Sequence, residues 1–223
     1  MRLSEALIPA LAGPSGHRHS RPVNRSKQRG RIRVVKVLWP VLGQIGNREK
    51  RRQSIEMLVG PESLPGSGWT LIKETAWRSG FRGRDPRSLR ARRTGEFVGH
   101  RVFRNQERHL YIWVEVVPYE SIEDATEALP ALQKSMVKYP GRRITQNHVV
   151  EGMDVPEADQ TFCFELEGTM RHRAWSQKFV AARLDRIISI TAGSGLDEGW
   201  NRNDLLPVAS AQTEKVRRAV SSA

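Results

Sequence analysis

The sequence predicts an α+β domain, with an antiparallel sheet of about six to seven strands and two packing helices. Apolar residues recur with a period of two in several short segments, and turn residues separate these segments, which is typical of strands. Two other segments repeat apolar residues every three or four positions, as amphipathic helices do. The predicted order is three strands, a helix, four strands and a helix. Runs of neighbouring strands favour an antiparallel sheet over a parallel α/β arrangement.

Charge divides the chain into two parts. Residues 1–56 hold 13 Lys and Arg against 3 Asp and Glu, whereas residues 57–223 hold 24 against 21. Residues 1–30 are rich in Gly, Pro, Ser and Arg, and such a segment buries too little apolar surface to offset the entropy of ordering. We predict a disordered basic arm over residues 1–57, or an over-extended gene start there, and a single α+β domain over residues 58–221.

The first predicted strand covers residues 69–77. A strict period of two would place five side chains on one of its faces: Trp69, Leu71, Lys73, Thr75 and Trp77.

A hairpin follows, in which residues 96–104 and 109–117 flank a turn at residues 105–108. Pairing about that turn places Phe103 opposite Leu110 and His100 opposite Trp113. The second strand of the hairpin is apolar on both faces, which predicts a central position in the sheet.

The first domain helix is predicted from Ser121, with Asp124 three residues later at the spacing of a capping box. Apolar positions then recur at intervals of 3, 4, 3, 4 and 3, as Ile122, Ala125, Leu129, Leu132, Met136 and Tyr139. Pro130 lies inside this pattern and is expected to bend the helix, because proline removes one backbone hydrogen bond.

The C-terminal part is predicted to form strands over residues 144–150 and 159–167, then a hairpin and a closing helix. In the hairpin, a turn at Leu184 and Asp185 would place Phe179 opposite Ile190. Residues 193–195, Gly-Ser-Gly, are expected to end the sheet. Pro207 is expected to open the last helix, because its missing N–H costs nothing in the first turn. Its buried stripe is predicted as Val208, Gln212, Val216 and Ala219 or Val220.

No catalytic residue, metal ligand or cofactor is predicted. His100 and His109 share a face but would lie roughly 13 Å apart at ~3.3 Å per residue, too far for one zinc ion. Glu165 and Glu167 share a strand face, which we interpret as solvated. Residues 193–195 lack the spacing of dinucleotide, phosphate-binding and nucleophile motifs, so we interpret them as a turn.

The lone Cys163 cannot form an intramolecular disulfide and is predicted to be an inert strand thiol. This favours a reducing cytoplasm. No run of 18 apolar residues occurs, so no membrane span is predicted.

Residues 78–108 contain ten Arg and three acidic residues. Guanidinium groups suit phosphate and carboxylate recognition because they present a planar fork of donors. The candidate anion-binding residues are Arg84, Arg87, Arg90, Arg92 and Arg93. A solvated, mobile charge run is the alternative, and the excess of 29 Arg over 8 Lys is also typical of G+C-rich genomes such as those of actinobacteria.

The segment from Arg183 to Val220 resembles a known family. A strand ends in Ile188-Ser189-Ile190-Thr191, and a glycine-rich turn, Trp200 and a helix with Val208-Ala209 and Gln212 follow. This pattern is similar to PsbP-like α/β/α sandwiches, which include actinobacterial LpqN-type lipoproteins and kinase sensor domains. The resemblance covers residues 60–221. It implies a binding or accessory role and carries over no functional residue.

We therefore predict a non-enzymatic binding or accessory module of unknown ligand. The alternative is a nucleic-acid-binding protein that uses the basic arm and residues 78–108, and an enzyme is the third possibility. An acidic protein or a nucleic acid is the expected partner of the arginines, because a local excess of positive charge steers anionic partners.

Overall fold

A computed structural model describes residues 35–78, 96–136, 143–170, 173–196, 200 and 202–222. The chain consists of two compact units, Met1–Glu49 and Lys50–Ala223. Helix α1 spans Val35–Glu56, and the sheet and the other two helices belong to the second unit.

Seven strands and two helices form the second unit beyond α1. A short 3-10 turn at Pro61–Ser63 precedes the first strand. The strands are β1 (Trp69–Arg78), β2 (Phe97–Asn105), β3 (Leu110–Pro118), β4 (Arg143–Val150), β5 (Gln160–Met170), β6 (Arg173–Leu184) and β7 (Ile187–Leu196). The helices are α2 (Ile122–Met136) and α3 (Arg202–Ser221).

The strands form one antiparallel sheet in the order β1-β2-β3-β7-β6-β5-β4. The predicted α+β class and the predicted strand number are confirmed. Strand β3 lies between β2 and β7, and all nine of its residues are buried. Its two-sided apolar pattern therefore identified an interior strand, as the sequence predicted.

Helix α2 packs on one face of the sheet. Its buried residues Ala125, Leu129 and Leu132 join a core cluster with alternate residues of the central strands. The sheet contributes Trp113, Phe164, Leu166, Trp175, Phe179, Ala181, Ile188, Ile190 and Ala192 to this cluster. The predicted apolar faces of the C-terminal hairpin are therefore confirmed.

Helix α3 packs on the opposite face, because the other set of alternating residues joins its cluster. The buried α3 residues Leu205, Val208 and Val216 pack there with Phe103, Ile112, Val114, Val180 and Ala182. Gln212 is buried with them, whereas Val220 is 38% exposed. The stripe predicted for the closing helix is thus confirmed up to Val216, and the sheet lies between two helical layers.

Both predicted hairpin registers are wrong by two residues. Phe103 pairs with Ile112 rather than Leu110, and Phe179 pairs with Ala192 rather than Ile190. A register shift of two residues keeps every side chain on the same face of the sheet, so the predicted faces are still correct.

The turn residues explain the shifts. In the first hairpin Asn105 still pairs with Leu110, and its Oδ1 accepts a hydrogen bond from the Arg108 N–H at 3.1 Å. His109 completes this turn with φ of 52°. In the second hairpin Leu184 pairs with Ile187, so the turn is Asp185-Arg186, with Asp185 at φ of 54°. Asp tolerates this left-handed backbone better than most residues.

Strand β1 changes face part-way along its length. An irregularity in its pairing with β2 lies between Leu71 and Lys73, and one extra residue reverses the alternation beyond it. Leu71 pairs with Phe103 on the α3 side, but Lys73 pairs with Val102 on the α2 side. The prediction that Trp69 and Trp77 share a face is therefore wrong.

The N-terminus of helix α2 has the predicted cap. The Ser121 Oγ accepts a hydrogen bond from the Asp124 N–H at 3.0 Å and lies 3.2 Å from the Asp124 carboxylate. Pro130 lies inside the helix as predicted. Ile122 is 47% exposed, so it does not belong to the buried stripe of this helix as predicted. Tyr139, the last residue of the predicted stripe, lies outside the described residues.

Residues 193–195 do not end the sheet, and this prediction is wrong. They continue β7, where Gly193 pairs with Lys178 and Ile112. A Cβ at Gly193 would lie 2.7 Å from the Trp200 ring, so the glycine leaves room for an indole against the strand. The Trp200 Nε1 donates to the carbonyls of Tyr111 and Ser194, at 3.2 Å each. Gly193 therefore serves close packing rather than a turn.

The closing helix begins five residues before Pro207, so the prediction that this proline opens it is wrong. Arg202 is the first residue of α3, and Pro207 lies inside it. Pro207 is exposed, and inside the helix it removes one backbone hydrogen bond.

The structure also places a helix inside the segment predicted as a disordered arm, because α1 covers residues 35–56. Its last turn packs on the domain: Ser54 is buried, and its carbonyl lies against Gly99 of β2. The domain boundary near residue 58 stays a prediction, and residues 1–34 lie outside the described part of the chain.

The segment after α1 is held by side chains from both β2 and α3. The Arg101 Nη1 donates to the carbonyls of Leu58 and Val59 at 2.7 and 3.0 Å. The Gln212 side chain accepts from the Val59 N–H at 2.9 Å and donates to the Met57 carbonyl at 2.7 Å. These bonds satisfy buried backbone groups, so the segment is part of the folded domain.

Among the helices that the structure describes, none is long and apolar enough to cross a membrane.

Candidate functional site

The five candidate anion-binding arginines, Arg84, Arg87, Arg90, Arg92 and Arg93, lie outside the described residues. Four other arginines of the 78–108 window are described, at positions 78, 101, 104 and 108, and the structure gives side-chain neighbours for two of them. The Arg101 Nε lies 2.7 Å from the Glu74 carboxylate, and the Arg104 guanidinium lies 5.8 Å from the centre of the Tyr111 ring. These two side chains are therefore engaged within the sheet.

A small cavity lies between the start of α3 and strands β4, β5 and β6. It holds about 190 Å³ of empty space, including space open to solvent. Its apolar wall consists of Val150, Met153, Cys163, Val180 and Leu205. We call this space the α3 cavity. Leu205 comes from the first turns of the helix, so the early start of α3 is what closes this side of the cavity.

One end of the α3 cavity is charged. Glu165 and Lys178 both line it and face each other across β5 and β6 as a register pair. The Glu165 Oε1 lies 3.3 Å from the Lys178 Nζ, and its Oε2 lies 3.3 Å from the His148 Nε2. The Glu165 side chain is 5% exposed, against 19% for Lys178 and 44% for His148. The carboxylate is therefore buried, with one cation beside it and a histidine at the rim.

This burial corrects the prediction of a solvated face at Glu165 and Glu167. Glu165 lies on the α3 side of the sheet, and an interior carboxylate costs free energy unless charged or polar partners offset its desolvation. Lys178 supplies a cation and His148 a second polar neighbour. Glu167 is only partly buried. Glu165 and Glu167 share a strand face, as predicted, but Glu165 is buried and Glu167 is partly exposed.

Cys163 is a buried thiol in the wall of the α3 cavity. Burial, together with the nearby negative charges of Asp154 and Glu165, raises the pKa of this thiol from 9.0 to about 11. The thiol is therefore protonated at neutral pH, and a protonated thiol is a poor nucleophile and metal ligand. This agrees with the predicted inert character of Cys163.

The described histidines do not form a metal site. Among residues 35–78, 96–136, 143–170, 173–196, 200 and 202–222, no three His, Cys, Asp or Glu side chains are grouped to hold a metal ion. His109 is exposed in the β2–β3 turn, whereas His100 is buried opposite Glu115. The prediction that His100 faces Trp113 is wrong because of the two-residue register shift. His172 lies outside the described residues.

Sequence reasoning missed Lys178 and His148 as partners of Glu165. The alternation of β6 was recognised through Trp175, Phe179 and Ala181, and the same period places Lys178 on the opposite face. A lysine there, between Gln177 and Phe179, could have suggested a charged residue facing the second helix. His148 could not be found in this way, because its contact depends on the pairing of β4 with β5.

Comparison with known proteins gives similarity of fold only. No protein-family model matches the chain, and no curated protein matches it. One similar solved structure is the extracellular domain of PknH from Mycobacterium tuberculosis, with a TM-score of 0.46 and 10% identity over 76% of this chain and 96% of that one. Another is an uncharacterized protein from Mycobacterium smegmatis, with a TM-score of 0.46 and 12% identity over 73% and 96%.

A third solved structure is a STAR-related lipid transfer protein fragment from Xanthomonas axonopodis, with a TM-score of 0.24 and 10% identity over 70% of this chain and 98% of that one. The predicted weak resemblance to kinase sensor domains is confirmed. Similarity of this degree says nothing about a shared ligand or activity, so function has to be argued from the described residues.

Proposed function

We propose that this chain is a non-enzymatic module that binds a small, mainly apolar ligand in the α3 cavity. The observation that carries the proposal is an apolar wall that ends at the buried Glu165–Lys178 pair. Small-molecule sites in proteins combine these two features, since apolar walls supply affinity and a few placed polar groups fix orientation.

The state of Cys163 supports binding rather than covalent catalysis. It is the nucleophile-type side chain in the wall of the α3 cavity, and its pKa of about 11 keeps it protonated at neutral pH. In the described part of the chain, no group of metal ligands supplies an alternative chemistry at this cavity. A cytoplasmic location is part of the proposal, and a lone buried thiol supports it.

The dimensions and charges of the cavity indicate the ligand class. The 190 Å³ includes space open to solvent, and the room for water-sized molecules is only about 10 Å³. That room holds roughly one water molecule, so a ligand has to be small and has to displace lining side chains as it enters. Lys178 and His148 lie on either side of the Glu165 carboxylate, and both can donate hydrogen bonds. A short branched aliphatic amine fits this arrangement, with its chain on the apolar wall and its ammonium near Glu165, because Asp154 and Glu165 both place negative charge beside the Cys163 wall.

The proposal is tested with three probes that share a carbon skeleton. Thermal shift and calorimetric titration of the full chain would compare 3-methylbutanoate, 3-methylbutanol and 3-methylbutylamine. We expect 3-methylbutylamine to raise the melting temperature most, because its ammonium can pair with Glu165 and a ligand that binds only the folded state stabilises it. Substitution of Leu205 by Phe fills the α3 cavity and should abolish the shift.

Leu206→Phe is the matched control, because this residue is next in the helix, partly buried, and does not line the cavity. It should keep the response to 3-methylbutylamine. The proposal fails if none of the three probes shifts the wild-type chain, or if Leu205→Phe and Leu206→Phe respond alike.

A further inference from the structure

A buried histidine on the α2 side of the sheet lacks hydrogen bonds. His100 of β2 is 1% exposed, and neither of its ring nitrogens has a hydrogen-bond partner among the described residues. A buried polar group without a partner destabilises the folded state, so native proteins leave few of them. His100 therefore needs a physical explanation.

The neighbour of His100 across the sheet indicates which nitrogen carries the proton. His100 pairs with Glu115 of β3, which is 3% exposed, and the Glu115 Oε2 lies 3.4 Å from the His100 Nδ1. A carboxylate next to Nδ1 favours the tautomer that is protonated there. In the neutral imidazole the Nε2 is then a hydrogen-bond acceptor. The described residues supply no hydrogen-bond donor to the His100 Nε2.

Two indole rings flank this histidine. The centre of the Trp77 ring lies 5.7 Å from that of His100, and the centre of the Trp113 ring lies 5.9 Å from it on another side. Trp113 is buried, whereas Trp77 is 38% exposed on edge strand β1. The His100 nitrogens are closed to solvent, so a molecule that reaches them beside the edge strand has to displace the Trp77 side chain first. We call Trp77, His100, Trp113 and Glu115 the tryptophan–histidine site.

We propose that the tryptophan–histidine site binds a small, flat aromatic molecule that bears one O–H or N–H donor. The ring packs against the indoles, where aromatic pairs are favourable at centroid distances of 4.5–7 Å, and the donor hydrogen-bonds to the His100 Nε2. The site is independent of the proposed function, because its residues lie on the α2 side of the sheet and the α3 cavity lies on the other. Either proposal can fail without the other.

Phenol and toluene are the probes, because they have similar size and differ in the donor. Calorimetric titration of the full wild-type chain should show phenol binding at least about tenfold more tightly than toluene. A site built to hydrogen-bond a hydroxyl rejects the analogue without it, because its buried polar group then stays unpaired.

His100→Phe is the first variant, since it keeps an aromatic ring and removes both nitrogens. It should equalise the affinities for phenol and toluene while the melting curve shows a folded protein. Trp77→Ala should weaken both probes. Leu71→Ala is its matched control, because Leu71 is 42% exposed on the same strand but on the opposite face, and it should change neither affinity.

A spectroscopic measurement on the wild-type chain covers the case in which His100→Phe fails to fold. Nitrogen-15 NMR of the imidazoles should show His100 protonated on Nδ1, and phenol should shift its Nε2 resonance. The proposal is overturned if wild type binds neither probe, or binds both equally. A phenol preference that survives in His100→Phe, or a free His100 protonated on Nε2 alone, overturns it too.

Discussion

Single residues at the centre of the sheet show how closely this core is packed. Phe179 is 1% exposed, stacks on Phe164 with ring centres 4.2 Å apart, and meets the Trp113 ring edge-on at 5.8 Å. Substitution of Phe179 by Ala should lower the free energy of unfolding by roughly 3–5 kcal/mol, because it removes buried area and leaves a cavity. Chemical denaturation measures this loss. An unchanged midpoint would contradict the central position of Phe179.

Cys163 gives a prediction at high pH. Its pKa is raised to about 11 in the folded protein from an ordinary value of 9.0, so the folded state holds the proton more tightly than the unfolded state does. The stability due to this group is complete below about pH 9 and is lost as the pH rises towards 11. Cys163→Ser should flatten the fall in melting temperature over that range. An identical fall in the variant would contradict the assignment.

At the scale of an element, β7 depends on a glycine at one position. A Cβ at Gly193 would come within 2.7 Å of the Trp200 ring, and this indole is held by two backbone carbonyls. Gly193→Ala should therefore destabilise the domain by about 1–3 kcal/mol, the usual cost of overpacking. Gly46→Ala is the control, since nothing lies within 4 Å of that position. A neutral Gly193→Ala would show that Trp200 can move.

The elements also show which sequence signals are reliable. The faces of β3, β6 and β7 follow from period-two alternation, because a sheet buried on both sides separates its two apolar sets. The start of α2 follows from Ser121, whose hydroxyl satisfies a local backbone donor. Hairpin registers and the β1 irregularity do not follow from local pattern. They depend on which turn conformation and which facing strand give the best total packing.

At the scale of the whole molecule, the last turn of α1 belongs with the folded domain. Ser54 is buried, Ile55 packs on the α3-side core, and the Met57 carbonyl accepts a hydrogen bond from Gln212. A chain that begins at residue 50 should melt at nearly the full-length temperature. A chain that begins at Met57 should melt several degrees lower, because it loses the contacts of Ser54 and Ile55. Equal melting of the two would contradict this packing.

Charge asymmetry within the domain gives a further prediction. Residues 78–108 carry a net charge of +7, while residues 57–77 carry −1 and residues 109–223 carry −3. Such an asymmetry steers acidic partners, more weakly at high salt. We predict that a variant with Arg84, Arg87, Arg90, Arg92 and Arg93 all replaced by Gln loses an acidic protein partner that wild type captures at low salt.

Duplex DNA distinguishes the two classes of partner in the same experiment, because each neutralised phosphate adds close to one unit to the salt dependence of binding. Salt-dependent DNA binding that the five substitutions abolish would favour a nucleic acid over an acidic protein. Equal capture of all partners by both chains would contradict a role for these arginines.

The sequence by itself determined the class of this fold, the faces of its central strands and the cap of α2. Those features depend on local periodicity and on side chains that bond to their own backbone. Only the tertiary structure identified the two candidate binding sites, the α3 cavity and the tryptophan–histidine site. The burial of Glu165 beside Lys178, and of His100 between two tryptophans, depends on strand register and on which helix covers each face. Contacts between residues distant in sequence are set by the total packing of the sheet, which no local pattern contains.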